Sequence, residues 1–244
     1  MTDVVENLVS VVVPARNEAR NLETLIDEIR EALAERAHEI LVVDDCSTDD
    51  TGQVIAGKRE TGVRVRHLRH DRSLGQSAAV RTGVWAAHGE TIVTLDGDGQ
   101  NDPAYIPALL EALAAGGSGC GLAMVRRIRR TDGRAKSAAS RFANGLRRRL
   151  LNDDAPDSGC GLKAVPTELF RRLPFFDGWH RFIPALVHRE GRTAAWVEVI
   201  DRPRGHGRSN YGIFDRGFRG ALDLFGAWWL IRRYRGPAQT TEVL

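Results

Sequence analysis

The first half of the chain alternates short runs of β-branched residues with segments of helical periodicity. Residues 9–13 form a β-branched run that ends at Pro14, as a buried strand does. Residues 21–36 place leucines and isoleucines along one stripe at helical spacing. The same reasoning predicts strands at 39–43, 63–68, 91–95 and 118–125, helices at 74–88 and 103–115, and a helix cap at 49–51. Regular alternation of strand and helix predicts an α/β fold, with a mainly parallel, Rossmann-like sheet and helices on both faces.

The alternation becomes irregular after Arg126. The pattern there predicts strands at 160–165 and 194–200, short helices at 166–173 and 180–190, and a polar loop at 201–211. Two longer helices, 136–151 and 213–233, mix arginines with apolar or aromatic residues. The sequence has no internal repeat and no linker, so we expect one compact domain with a basic, helical C-terminal portion.

The composition excludes several classes of protein. A chain with 42% hydrophobic and 27% charged residues is folded rather than disordered. Its 3 cysteines are scattered and form no CxxC pair, which excludes a disulfide framework and a structural zinc site. No signal segment opens the chain, and the apolar run at 224–231 is far shorter than the roughly 20 residues that span a bilayer. We therefore expect a cytoplasmic protein.

The charge of the chain is divided between its two halves. Residues 1–120 carry a net charge of −9 and residues 121–244 a net charge of +12. Almost all the basic residues of the second half are arginines, which bind phosphate through two parallel hydrogen bonds. The basic half therefore indicates an anionic partner, such as a phosphate group, nucleic acid or a membrane surface.

Polar clusters follow three of the predicted strands. They are residues 14–18 (PARNE), Asp44 with Asp45, and residues 96–100 (DGDGQ). In open α/β sheets ligands bind at the carboxyl ends of the strands, so we expect these clusters to converge. The carboxylates of Asp96 and Asp98 suit a hard divalent cation such as Mg²⁺ or Mn²⁺, which often bridges substrate phosphates.

Six motifs, in this order and spacing, resemble those of one enzyme family. They are VVVPARNEARNL (11–22), LVVDDCSTDDT (41–51), LGQSAAVRTG (74–83), LDGDGQNDP (95–103), DSGCGLKA (157–164) and RPRGHGRSNYG (202–212). With them the chain resembles the family 2 inverting glycosyltransferases of GT-A fold, and within that family the polyprenyl-phosphate sugar synthases such as dolichol-phosphate mannose synthase. The resemblance implies a catalytic domain at residues 1–212, followed by an amphipathic helix and tail at residues 213–244.

The resemblance also assigns roles to individual residues. Around the donor nucleotide it places Pro14, Arg16, Glu18, Asp45 and Asp96. Around the metal and the donor diphosphate it places Asp96, Asp98 and Gln100. Toward the acceptor phosphate or the sugar it places Arg126, Arg181 and Arg208, with Asp157 near the sugar and Arg204 in a loop that closes over the donor. Relatives usually have a lysine where this chain has Asn210, so we assign the charge of that loop to Arg208.

The implied activity is transfer of a monosaccharide, with inversion, from a UDP- or GDP-sugar to a polyprenyl phosphate, supplying a lipid-linked sugar for cell-envelope glycoconjugates. The residues fit this chemistry, because charge that develops on a nucleoside diphosphate leaving group calls for a divalent ion and arginines. A phosphate acceptor is already a nucleophile near neutral pH. A saccharide hydroxyl, the alternative acceptor, needs a carboxylate base, and Asp157 is the candidate for that role.

The helix at 213–233 indicates how such an enzyme reaches a lipid acceptor. It carries arginines beside Trp228 and Trp229, and tryptophan side chains favour the head-group depth of a membrane. We expect a peripheral protein on the cytoplasmic face of the membrane. Packing of this helix on the core, or on a second copy of the chain, is the alternative.

Two other classes of protein fit less well. A nucleic-acid-binding protein would use the basic half, but the sequence has no helix-turn-helix, zinc-finger or aromatic RNA-binding signature. A nucleotidyltransferase usually has a glycine-rich loop after its first strand, and VVVPARNE contains no glycine. We therefore expect no nucleic-acid partner. The residues leave open whether the sugar is mannose, glucose, a hexosamine or a uronate, and whether the donor carries UDP or GDP.

Overall fold

The fold is a seven-stranded sheet covered by helices on both faces. A computed structural model describes residues 4–127, 145, 147, 149–151, 159–199, 202 and 213–236. The strands are β1 (Val5–Ala15), β2 (His38–Asp44), β3 (Val65–Arg69), β4 (Gly89–Thr94), β5 (Cys120–Arg127), β6 (Lys163–Pro166) and β7 (Thr193–Val199). The helices are α1 (Ala19–Ala32), α2 (Thr51–Glu60), α3 (Gln76–Ala86), α4 (Ile106–Ala115), α5 (Thr167–Arg172), α6 (Ile183–Arg189) and α7 (Ile213–Arg232).

The strand order is β3-β2-β1-β4-β6-β5-β7. Four strand pairs are parallel: β1 with β2, β1 with β4, β2 with β3, and β5 with β7. Strand β6 runs antiparallel to both of its neighbours, β4 and β5. The prediction of a mainly parallel sheet is confirmed. Because β6 is reversed, its first residue, Lys163, lies at the same edge of the sheet as the carboxyl ends of β4 and β5.

Strand β1 shows why these residues form a central strand. Val11, Val12 and Val13 are all fully buried, because helices cover the sheet on both sides. Val11 and Val13 face the core beneath α1, α2 and α4, whereas Val12 faces the core beneath α3, α5 and α6. A continuous β-branched run is the pattern that such double burial requires.

Helix α7 covers part of the second core. Ala227 is fully buried there, and Trp228 packs against the same cluster. Leu222, Phe225 and Trp229 instead form an exposed apolar stripe at positions i, i+3 and i+7. One face of α7 therefore packs on the core, which was the alternative to membrane contact, and another face is exposed. No helix within the described part of the chain has both the length and the apolar character needed to cross a membrane.

The predicted elements differ from the observed ones mainly at their ends. The helix expected at 180–190 begins at Ile183, because residues 179–181 form a 3-10 turn after Gly178, whose φ is +86°. The strand expected at 160–165 begins at Lys163. Of the helix expected at 136–151, residues 145, 147 and 149–151 are helical, and the other positions lie outside the described residues. The loop expected at 201–211 is described only at Arg202.

Candidate functional site

A cavity of about 540 Å³ opens where β1 and β4 end and β6 begins. Pro14 and Asp96 line it from the ends of β1 and β4, and Lys163 lines it from the start of β6. The turn before α6 contributes His180 and Arg181. Of the three polar clusters expected to converge, the first contributes Pro14 and the third contributes Asp96 to this cavity, beside residues from the second half of the chain. Asp44 and Asp45 are not among the described residues that line it.

Asp96 lies against the wall of this cavity and is held by groups from three segments. Its Oδ1 accepts a hydrogen bond of 2.7 Å from the Gln76 amide, and its backbone N–H donates to Asn101 Oδ1 at 3.1 Å. A Cβ atom added at Gly161 would lie 2.5 Å from the Asp96 carboxylate. Glycine at position 161 is therefore what lets the backbone approach this carboxylate.

Asp96 and Asp98 provide the hard oxygen ligands that Mg²⁺ and Mn²⁺ prefer. Asp98 is buried, and its Oδ1 accepts a hydrogen bond from the N–H of the half-buried Gln100 at 3.1 Å. The described residues contain no cluster of three or more His, Cys, Asp or Glu side chains that would enclose a metal ion by itself. Mg²⁺ is commonly held by one or two carboxylates together with substrate phosphates, so this donor set fits a metal that arrives with a diphosphate.

Asp45 is surrounded by hydrogen-bond donors from residues 70–75. Its Oδ1 accepts from His70 Nδ1 and the Leu74 N–H, both at 2.8 Å. Its Oδ2 accepts from Ser73 Oγ at 2.7 Å and the Gly75 N–H at 2.9 Å. Burial raises the pKa of Asp45, but the hydrogen bonds from Leu74, His70, Ser73 and Gly75 outweigh burial and lower the pKa to about 2. Asp45 is thus an ionised carboxylate that fixes the segment leading into α3.

The loop after β1 is fastened to the loop after β2. Asn17 has a positive φ of 58°, and its N–H donates to Ser47 Oγ at 2.9 Å. The Glu18 N–H donates to Thr51 Oγ1 at 3.2 Å, and Glu18 accepts from Asn21 at 2.6 Å. Arg16 is exposed beside them. The predicted donor-site residues of this region lie at or just after the ends of two adjacent strands: Pro14, Arg16, Glu18 and Asp45. Of these four, only Pro14 is among the described residues that line the cavity.

The basic residues of the site lie on β5, on β6 and on the turn before α6. Lys163 is 3% exposed, and its Nζ donates to the Cys160 carbonyl. His180 Nδ1 lies 2.7 Å from Ser77 Oγ. Burial lowers the pKa of His180, and the positive charges of Lys163 and Arg181 lower it further, to about 3. His180 is consequently neutral at pH 7.

Arg126 lies near the carboxyl end of β5 and is exposed. Its register partner on β7 is Glu198. Strands β4 and β5 flank β6, and strands are spaced about 4.8 Å apart, so Arg126 is about 10 Å along the sheet edge from the end of β4. Arg126 is not among the described residues that line the cavity. The predicted residues Asp157, Arg204 and Arg208 lie outside the described part of the chain.

The sequence analysis assigned no role to several residues that line the cavity, among them Gln76, Lys163 and Asp223. Gln76 and Lys163 stand inside the quoted motifs LGQSAAVRTG and DSGCGLKA, but no role was assigned to them. Asp223, from α7, also lines the cavity. Nothing in the local pattern of α7 distinguishes Asp223 from a solvated acid, because its position depends on how the helix packs.

These strand ends carry two aspartates after β4, with basic groups beside them. Residues 10–173 match the profile of Glycosyl transferase family 2. The chain belongs to this family, is a glycosyltransferase, and has the GT-A fold.

Two curated proteins are similar in sequence to this chain. Dodecaprenyl-phosphate galacturonate synthase of Rhizobium johnstonii is 34% identical over 248 residues, which cover 96% of this chain and 71% of that protein. Undecaprenyl-phosphate 4-deoxy-4-formamido-L-arabinose transferase of Edwardsiella ictaluri is 32% identical over 208 residues, which cover 84% of this chain. The match spans 63% of the length of the Edwardsiella protein.

Among solved structures, the chain is similar to glucosyl-3-phosphoglycerate synthase of Mycobacterium tuberculosis. The crystal structure with Mn²⁺, UDP and glucosyl-3-phosphoglycerate superposes with a TM-score of 0.68 at 25% identity, covering 95% of this chain and 81% of that one. The structure of the same enzyme with Mg²⁺ and UDP gives a TM-score of 0.67 at 24% identity. This structural relative thus binds UDP together with either metal.

Proposed function

We propose that the protein transfers a monosaccharide from a UDP-sugar to a polyprenyl phosphate, with inversion at the anomeric carbon and with Mg²⁺ or Mn²⁺ as cofactor. Both curated relatives are named for polyprenyl-phosphate products, and the solved relative binds UDP with these metals. Their names differ in the sugar, a galacturonate in one and a formamido-arabinose in the other. The relatives therefore support the acceptor class and leave the sugar open.

The order of functional groups along one sheet edge is the observation that carries the proposal. Strands β2, β1, β4, β6 and β5 lie side by side in this order. Their ends at this edge carry, in the same order, Asp45, Pro14, Asp96, Lys163 and Arg126. Four strand spacings span about 19 Å. This length accommodates a nucleoside, a diphosphate, a sugar and an acceptor phosphate laid end to end.

The residues at each position suit the part of the substrate assigned to it. The loops after β1 and β2, with Arg16 and Glu18, would hold the nucleoside. Asp96, Asp98 and Gln100 would hold the metal ion, which supplies charge neutralisation for the departing diphosphate. Arg126 would hold the acceptor phosphate on the far side of the sugar. Bound in this way, the two reactants face each other across the anomeric carbon, and positioning supplies much of the rate.

The transfer step is a single displacement. An oxygen of the acceptor phosphate forms a bond to the anomeric carbon while the bond from that carbon to the diphosphate oxygen breaks, and the electron pair leaves with UDP. Because the attacking phosphate oxygen is already ionised, the step needs no general base. An acceptor hydroxyl would need one, and in that case we propose Asp157 for the role. Arg204 and Arg208 would add positive charge from the loop over the donor.

The exposed face of α7 supports a peripheral position on the membrane. The apolar stripe of Leu222, Phe225 and Trp229 is continuous with the cavity, because Leu222 also lines it. Arg232 and Arg233 follow on the same helix or directly after it, and both are exposed. An apolar stripe next to arginines is typical of helices that lie at an anionic membrane surface. We propose that α7 brings the cavity to the head group of the acceptor lipid.

A transfer assay tests this function. The full chain is mixed with radiolabelled UDP-sugars, Mn²⁺ and undecaprenyl phosphate in detergent, and label is measured in the chloroform phase. We expect chloroform-soluble label that disappears with EDTA and falls at least about 100-fold in Asp96→Asn. Glu111→Gln, which removes an exposed carboxylate from α4, is the matched control and keeps full activity. Release of UDP from the donor by the metal-loaded enzyme, with no label in the chloroform phase, would contradict the acceptor assignment.

A further inference from the structure

His180 lines the cavity but has no part in the transfer step described above. It stands in the 3-10 turn before α6, beside Arg181. Burial and the positive charges of Lys163 and Arg181 lower the pKa of His180 to about 3, so the imidazole is neutral at pH 7. A neutral imidazole has one N–H donor and one acceptor nitrogen. What His180 can bind therefore depends on which ring nitrogen carries the hydrogen.

Ser77 determines the position of that hydrogen. Ser77 is 1% exposed, and its Oγ has two hydrogen-bond partners within the described residues, the Gly178 N–H at 2.9 Å and His180 Nδ1 at 2.7 Å. The Gly178 N–H can only donate, so it occupies a lone pair of the hydroxyl oxygen. The hydroxyl hydrogen then goes to His180 Nδ1, because a buried hydroxyl that donates to nothing costs free energy. Nδ1 is therefore the acceptor, and Nε2 carries the hydrogen.

The turn that carries the imidazole is held on both sides of His180. Trp179 is 2% exposed, and its Nε1 donates to the Ser77 carbonyl at 3.1 Å. The Phe182 N–H donates to the Trp179 carbonyl at 2.7 Å. Across the described ranges of the chain, His180 Nε2 makes no hydrogen bond. Because Nδ1 faces Ser77, the Nε2–H group is the one that is available to a ligand in the cavity.

Two contacts locate His180 along the proposed substrate. Ser77 follows Gln76 at the start of α3, and the Gln76 amide donates to Asp96 Oδ1 at 2.7 Å. The imidazole is also close enough to Lys163, on the strand between β4 and β5, for the charge of that ammonium group to act on it. In the proposed arrangement the diphosphate lies at the end of β4 and the acceptor phosphate at the end of β5. His180 therefore lies beside the part of the substrate between the two phosphates, which is the sugar.

The sugar is also the part of the substrate whose chemistry suits a neutral donor. Its hydroxyl oxygens are uncharged acceptors, and a neutral N–H donates to them without bringing a charge that needs a partner. The phosphates have charged partners in the proposed function, the metal ion at Asp96 and the guanidinium group of Arg126. A neutral imidazole adds little to either of those contacts, because hydrogen bonds from charged groups are the stronger ones.

We propose that His180 binds the transferred sugar, with its Nε2–H donating to a hydroxyl oxygen of that sugar. This inference rests on the donor part of the proposed function and adds to it a residue that contacts the sugar. Ser77 is then a positioning residue, since it holds the imidazole in the tautomer that donates into the cavity. A sugar bound without this donor would lose one directed hydrogen bond.

Binding of UDP and of a UDP-sugar separates contacts to the sugar from contacts to the nucleotide. Calorimetry with Mn²⁺ and no acceptor measures Kd for UDP and for whichever of UDP-glucose, UDP-galactose, UDP-glucuronate and UDP-galacturonate the unaltered chain binds most tightly. In His180→Leu we expect affinity for the UDP-sugar to fall about 10-fold, the effect of one lost hydrogen bond, and affinity for UDP to stay the same. Equal weakening of both ligands would place His180 at the diphosphate and overturn the inference, as would unchanged binding of both.

The same titrations distinguish this inference from the proposed function. A chain that binds the UDP-sugar through His180 but forms no lipid-linked product would refute the proposed acceptor and leave the inference standing. Failure of the unaltered chain to bind UDP with Mn²⁺ would overturn the proposed function and the inference together.

A second substitution separates the lost donor from the changed shape. His180→Gln places an amide N–H near the position of Nε2, and both His180→Gln and His180→Leu remove the partner of Ser77. We expect His180→Gln to keep most of the affinity for the UDP-sugar. His188→Leu, which replaces an exposed imidazole on α6, is the control and binds as the unaltered chain does. Equal losses in the two His180 variants would show that the imidazole is only structural, and the inference would be wrong.

Nitrogen-15 NMR of the chain labelled at histidine measures the tautomer directly. At pH 7 we expect His180 to have an unprotonated Nδ1 and a protonated Nε2, with its signals identified by their absence from His180→Gln. In Ser77→Ala the hydroxyl that donates to Nδ1 is gone, and we expect the fixed preference for this tautomer to be lost. A hydrogen on Nδ1 in the unaltered chain would overturn the inference, because Nε2 would then be an acceptor.

Discussion

Asp45 accepts four hydrogen bonds, which is the capacity of a carboxylate, and all four come from residues 70–75. The strand pattern predicted that Asp45 would lie at the binding edge, and it does follow β2 there. The pattern gave no indication of the donors that surround it, because they are 25 to 30 residues away in the sequence. Direct contact of Asp45 with the nucleotide stays a prediction. What the structure shows is that Asp45 shapes the wall of the cavity at Leu74 and Gly75.

Replacement of this carboxylate gives the first prediction. Asp45→Asn removes an ionised acceptor and should lower the free energy of unfolding at pH 7 by about 2 kcal/mol. Because the pKa of Asp45 falls from 3.8 in the unfolded chain to about 2 in the folded one, its contribution is present above pH 4 and is lost as the pH falls to 2. Urea unfolding of both proteins at pH 7 and pH 3 measures this. A difference in stability that does not shrink at the lower pH would contradict the assignment.

The contact between Gly161 and Asp96 gives the second prediction. Gly161→Ala places a methyl group where the Asp96 carboxylate lies, so Asp96 must move away from the position at which we propose that it binds the metal. We expect transfer activity to fall at least about 10-fold, because a small misplacement of a catalytic group has large effects on rate. Gly119→Ala is the matched control, since a Cβ there meets nothing within 4 Å. Equal activity of the two variants would show that the position of Asp96 is unimportant.

At the scale of elements, the direction of β6 decides which residues share the cavity. A run of apolar residues predicts a strand but not its direction or its neighbours. The strand expected near residues 160–165 exists, yet only its antiparallel insertion between β4 and β5 brings Lys163 beside Asp96 and Arg126. The position of Lys163 in the cavity was therefore not predictable from the spacing of residues along the chain.

Strand β5 gives the third prediction, through the side chain at its end. Arg126→Ala should raise KM for polyprenyl phosphate about 10-fold or more and leave KM for the UDP-sugar nearly unchanged, because the arginine is assigned to the acceptor side. Arg59→Ala on α2 is the control for loss of one exposed arginine. Steady-state kinetics with each substrate varied in turn measures the split. A rise in KM for the donor alone would move Arg126 to the donor site.

Helix α7 gives the fourth prediction, because its adjacent tryptophans face different surroundings. Trp229 is 54% exposed, whereas Trp228 packs on the core. The sequence analysis placed both at the membrane, since spacing alone did not show which face the core would cover. Trp229→Ser should weaken binding to vesicles with anionic lipids and leave Tm unchanged, whereas Trp228→Ser should lower Tm. Vesicle co-sedimentation and thermal unfolding check both outcomes, and unchanged binding by Trp229→Ser would count against the membrane face.

At the scale of the whole molecule, the two halves of the chain differ in how far the sequence predicts them. The first half alternates regularly, and its parallel strands β1 to β4 appear close to their expected positions. The second half inserts β6, adds β7 beside β5 and folds α7 back on the core. Those steps depend on packing between distant segments, which local periodicity does not encode. The division of charge at residue 120 predicted an anionic partner for the basic half, and this half contains Arg126 at the sheet edge and Lys163 and Arg181 in the cavity.

The most direct test of the central claim is the chemical identity of the product. The lipid extract of a reaction with UDP-sugar, Mn²⁺ and undecaprenyl phosphate is analysed by mass spectrometry before and after mild acid. Transfer to the acceptor phosphate predicts one ion at the mass of undecaprenyl phosphate plus a single sugar, absent with EDTA and converted back to undecaprenyl phosphate by acid, because a glycosyl phosphate bond is acid-labile. Consumption of the UDP-sugar by the metal-loaded enzyme without that ion would contradict the account.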